Sequence, residues 1–112
     1  MVKYNVILNK KVSASATDYL TYTFSVPGRR FKVTKVCVGF DDAAVFNVTA
    51  KLLASMRELV PDVGEFVATG SPRPLCLETE FELAPQQTIS LRITNSDSSD
   101  HYAVLVLSGE LD

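Results

Sequence analysis

The chain has 112 residues, enough for one domain that buries roughly two-thirds of the surface its unfolded chain would expose. Hydrophobic residues at 46% and charged residues at 21% match ordinary globular chains and exclude a disordered or fibrous protein. The 11 basic and 13 acidic residues give a formal net charge of -2, and no basic run exceeds Lys10-Lys11 or Arg29-Arg30, so the clustered basic face needed to neutralise nucleic-acid phosphates is missing.

From the N-terminus, Lys3 to Leu8 reads as a first strand. From Asp18 to Val26, Leu20, Tyr22, Phe24 and Val26 fall on one face and Tyr19, Thr21, Thr23 and Ser25 on the other; this is the two-residue period of a half-buried strand, closed by the turn pair Pro27-Gly28. The run Phe31 to Phe40 changes apolar phase near Lys35-Val36, which predicts a β-bulge or a strand buried on both faces at one end. After Asp41-Asp42, Phe46, Val48, Ala50 and Leu52 share one face of a strand over Val45 to Leu53. Residues 53–59 contain neither Gly nor Pro and are the one place where a helical turn fits. Pro61, Gly64, Gly70, Pro72 and Pro74 mark a long irregular connection, with a short strand around Glu65 to Thr69.

Leu77, Phe81 and Leu83 then alternate with Glu78, Glu80 and Glu82, and Ile89, Leu91 and Ile93 with Ser90, Arg92 and Thr94. Asn95 to Asp100 is a polar loop, and Tyr102 to Leu107 is apolar on both faces, as a central strand requires. Seven or eight such strands predict a single all-β domain over residues 1–112, an antiparallel sandwich of the jelly-roll kind. No run reaches the roughly 20 apolar residues that cross a bilayer as a helix, and Met1 to Asn5 does not read as a signal peptide. The expected setting is therefore the cytosolic side of the cell, unless assembly carries the protein elsewhere.

The chemistry-bearing residues are few. Cys37 and Cys76 each lie in a strand-like run; a disulfide is one reading, but free buried thiols packing as small hydrophobes are expected, since disulfide-dependent small domains usually carry more cysteines. His101, the single histidine, is expected as a solvated imidazole at a loop edge rather than the base of a catalytic triad. One His and two separated Cys do not complete a zinc site, and Asp41-Asp42, Asp97 and Asp100 lack the glycine-spaced pattern of a calcium loop. No cofactor or metal is expected. Glu78, Glu80 and Glu82 share one strand face about 7 Å apart, not far from the roughly 5 Å of paired glycosidase carboxylates. A solvated face that discourages sheet aggregation, or pairs with basic residues, explains them more simply.

The segment from Ala84-Pro85-Gln86-Gln87 through Thr94-Asn95, with the polar loop and His101 to Leu111, resembles the closing hairpin of small single jelly-roll capsid or decoration proteins of bacterial and archaeal viruses. That resemblance implies a non-enzymatic structural protein acting by homo-oligomerisation or docking on a shell. Contacts are then expected from the loops, through Pro61, Arg73, Pro74, Asp97 and Asp100. The alternative is a carbohydrate- or protein-binding module using Tyr4, Tyr19, Tyr22 or Tyr102 on a sheet face. Neither nucleic acid nor a membrane is an expected partner.

Overall fold

The computed structural model describes residues 2–41, 44, 47–54, 57–58, 66–69 and 74–112. Among them the strands are β1 (Val2–Val12), β2 (Thr17–Thr23), β3 (Phe31–Phe40), β4 (Val48–Ala54), β5 (Arg57–Glu58), β6 (Phe66–Val67), β7 (Leu75–Leu83), β8 (Thr88–Asn95) and β9 (His101–Leu111). They form two antiparallel sheets, ordered β1-β9-β3-β7 and β2-β8-β4-β5, with β6 also on β4. Chain-adjacent long strands fall in opposite sheets, which is the jelly-roll order and confirms the expected fold class.

The alternation sets which side chains meet between the sheets. Phe24, Phe31, Leu52, Ile89, Leu91, Ile93, Leu105 and Leu107 are fully buried there, each contributing about 1.5–3 kcal/mol of hydrophobic transfer free energy. In β3 the buried residues change from Phe31 and Val33 to Val36, Val38 and Phe40, and the register against both neighbours shifts between Val33 and Lys35. This is the bulge the phase change predicts. At one end Tyr4 packs edge-on against Phe31, with centroids 5.0 Å apart, and burial together with its hydrogen bond to Tyr4 pushes the Tyr22 hydroxyl pKa upward.

Three expectations need correction. Arg57–Glu58 pairs as a strand with Leu53–Ala54, so these residues are not helical; β4 offers them an open edge, and edge pairing outweighs a short helical propensity. The segments β8 and β9 do not form a closing hairpin: β8 pairs with β2 and β4, β9 with β1 and β3, and residues 96–100 cross between the sheets. Asn95 fixes that crossing, since its buried amide donates to the carbonyls of Val12 (3.2 Å), Ser13 (3.3 Å) and Ser99 (2.9 Å).

The cysteines are the third. Cys37 and Cys76 are directly opposed across β3 and β7, with Cα atoms 4.0 Å apart, and form a disulfide rather than two free thiols. Periodicity assigned each cysteine to a strand but carried no information on which strands are neighbours.

Candidate functional site

His101 opens β9 with its side chain turned inward, where only 2% of the residue remains exposed. Its Nδ1 lies 2.8 Å from Asp41 Oδ1 and its Nε2 2.7 Å from Asp97 Oδ2. A neutral imidazole has one N–H and donates to only one of these carboxylates; the imidazolium donates to both. The hydrogen bond to Asp97 and the nearby charges of both aspartates accordingly raise the His101 pKa above its ordinary value, against the opposing effect of burial. The expected solvated imidazole is therefore corrected to a buried, doubly bonded one. The reason is three-dimensional: Asp41 directly follows β3, some 60 positions away in sequence.

Each carboxylate is held in turn. Asp41 Oδ2 accepts the Tyr102 amide at 2.6 Å, completing the β3–β9 pairing with a side chain. Asp97 Oδ1 accepts the Ser98 amide at 2.7 Å, and the His101 and Ser98 bonds hold the Asp97 pKa below the usual carboxylate value. Asp100 accepts the Ala14 amide at 2.9 Å and faces Lys11 Nζ at 3.3 Å, which lower its pKa in that order. The β1–β2 turn is drawn into the same cluster by the Ser15 amide, which donates to the Asp97 carbonyl at 3.0 Å.

Asp41, Asp97, Ser99, Asp100, His101 and Tyr102 line a shallow cavity of about 440 Å³ at this end of the sandwich. Tyr102 points outward at its rim and is 54% exposed. With both ring nitrogens engaged by carboxylates, His101 is held in one orientation, and the groups the cavity presents to solvent are the Tyr102 ring and the carboxylate acceptor positions left unused. Asp41 and Asp97 each keep about a quarter of their side chain exposed, at 26% and 27%. Carboxylate oxygens offer two acceptor sites apiece, and the His101 and amide bonds occupy only part of that capacity.

Of the predicted contact residues, Asp97 and Asp100 come together at this cavity, engaged within the domain as described. Pro74 is exposed before β7, beside Gly39 at the same end of the first sheet, but is not among the residues that line the cavity, and Pro61 and Arg73 lie outside the described residues. Asp41 and His101 were missed as a pair; an aspartate closing one strand and a histidine opening another was the available signal. Glu78, Glu80 and Glu82 all stand exposed on the edge strand β7, with Glu80 3.1 Å from Lys32 and Glu82 3.4 Å from Arg30, as a charged outer face does. The tyrosines divide: Tyr4 and Tyr22 pack against the core, while Tyr19 and Tyr102 face solvent.

No protein-family model matches the chain, and no curated protein matches it. Among solved structures it is similar to PliG of Aeromonas hydrophila, a periplasmic inhibitor of g-type lysozyme, at 10% identity and a TM-score of 0.50, covering 93% of this chain and 85% of that one. It is similar also to the C-terminal domain of EclA, a sugar-binding protein, at 13% identity and a TM-score of 0.50, covering 93% and 75%. At these identities the likeness establishes the sandwich fold.

Proposed function

We propose that the chain is a non-catalytic carbohydrate-binding sandwich that takes its ligand at the Tyr102 cavity. The observation that carries this reading is that the exposed Tyr102 lines the same cavity as the locked carboxylates of Asp41 and Asp97. A sugar presents an apolar C–H face to stack on such a ring and hydroxyls to donate to such carboxylates. The shared fold with a sugar-binding domain supports the reading, and the disulfide supports a setting outside the reducing cytosol.

Neutral xylo- and cello-oligosaccharides titrated into labelled protein should shift the amide signals of Ser99 and Tyr102. The Tyr102→Ala variant should lose the response. Silence from every oligosaccharide at millimolar concentration removes the proposal.

Self-association is a second reading, favoured by one apolar strip. On the outer side of the first sheet Ile7, Val106 and the Cys37–Cys76 pair stand in one cross-strand row, and Ile7 is 69% exposed. Light scattering across a concentration series should show a dimer or larger species that Ile7→Lys disperses; a monomer throughout eliminates this reading.

A further inference from the structure

The outer side of the other sheet has a different composition. Thr17, Tyr19, Thr21 and Thr23 of β2 lie opposite Thr94, Arg92, Ser90 and Thr88 of β8, and Thr49, Lys51 and Leu53 of β4 continue the first three rows. The hydroxyls meet across the strands, at 3.4 Å for Thr17 and Thr94, 3.2 Å for Thr21 and Ser90, and 3.3 Å for Thr23 and Thr88. These positions include the cations Arg92 and Lys51, and Glu58 of β5 follows Leu53 in its row, so Arg92 is the cation on which the face's charge complementarity rests.

Arg92 stands in the middle strand of the three. Among the described residues its guanidinium has no ion pair and no side-chain hydrogen bond, so five donors in a fixed fork point at solvent from a half-buried position. Tyr19, 39% exposed, is its direct cross-strand neighbour. The adjacent acid on β2, Asp18, is committed elsewhere: it lies 3.5 Å from Lys10 Nζ and accepts the Tyr19 amide at 2.8 Å.

We propose that this face is a second binding surface, distinct from the Tyr102 cavity, and that its ligand is an acidic polysaccharide. A uronate carboxylate pairs with the Arg92 fork, a neighbouring sugar ring lies on Tyr19, and hydroxyls meet the threonine and serine rows. A polynucleotide fits the face less well, because a single row of cations leaves most of its closely spaced phosphates unneutralised. A lipid surface fits poorly too, since Leu53 is buried and Tyr19 is the face's only exposed large apolar side chain among the described residues.

Affinity electrophoresis through gels containing polygalacturonate, alginate or hyaluronate tests the proposal, with dextran and a thymidine oligonucleotide as controls. At least one acidic polymer should retard the protein, less so as salt rises. Arg92→Gln should weaken that binding by at least about tenfold, as expected for loss of a charge-assisted contact. Arg92→Lys should be intermediate and Tyr19→Ala weakened. Tyr102→Ala should bind the acidic polymer normally, which separates this proposal's failure from that of the cavity reading.

Arg92 has no internal partner to lose, so the Gln variant should melt with the wild type; if it does not, Tyr19→Ala carries the test. No retardation by any acidic polymer, undiminished binding by Arg92→Gln and Tyr19→Ala, or tighter binding to the oligonucleotide each overturns the proposal.

Discussion

His101 Nε2 sits 2.7 Å from Asp97 Oδ2, four positions away in sequence, and this bond ties the loop after β8 to the first residue of β9. Replacing His101 by Ala removes the donor to both Asp97 and Asp41 and leaves two carboxylates facing a void. The expected loss is roughly 2–3 kcal/mol, less than the roughly 3–5 of a fully buried pair because both carboxylates keep some solvent contact. Urea unfolding of His101→Ala against wild type measures it, and a change under half a kilocalorie would mean that the bonds are not held in solution.

The same bonds fix the pH dependence. The His101 pKa is raised above its ordinary 6.5, so its stabilisation is fully present below 6.5 and is lost as pH rises through the folded-state value. The Asp97 pKa is lowered from 3.8, so its contribution is present above 3.8 and is lost as pH falls through its own folded-state value. Stability should therefore be flat between about 4 and 6.5 in this contribution and decline on either side. Melting temperatures across pH should show an alkaline decline that His101→Gln abolishes.

The disulfide closes a long segment, with 39 positions separating Cys37 from Cys76. Constraint of the unfolded chain predicts a contribution of roughly 2–4 kcal/mol. Thiol titration of the unfolded protein without reductant should find no free sulfhydryl, and reduction or the Cys37→Ser/Cys76→Ser pair should lower the melting temperature by several degrees. Two titratable thiols in freshly purified protein would contradict the cross-strand bond.

The alternation of Leu20 and Leu91 with polar neighbours, and the change of phase between Val33 and Val36, were enough to give the strands, their buried faces and the β3 bulge, because a two-residue period is local information. Cross-strand partners are not local. The pairing of Cys37 with Cys76 and the bridging of Asp41, His101 and Asp97 depend on β3 lying between β7 and β9, an order no period encodes. The same gap hid Asn95, read as an ordinary loop residue, which is 1% exposed and whose amide ties the sheet crossing. Among the candidate site residues, Asp97 and Asp100 were visible as a polar loop next to Tyr102, and the topology alone brings Asp41 to them.

Gly109 gives a prediction of a different kind. It faces the β3 bulge, opposite Val33, and a Cβ added there would overlap the carbonyl of Lys32. The obstacle is backbone, not a side-chain end that can swing away, so either β9 or β3 must move. Gly109→Ala should cost about 1–3 kcal/mol, in the range of core overpacking, although the added group is one methyl. Gly28 supplies the control: nothing lies within 4 Å of its Cβ position, and its φ of +70° is the only obstacle to a side chain. Gly28→Ala should therefore lose only about 1 kcal/mol, from the left-handed backbone alone. If denaturant midpoints showed Gly109→Ala tolerated as well as wild type, the close approach of β9 to β3 at the bulge would be wrong, and with it the register that places Lys32 beside Glu110.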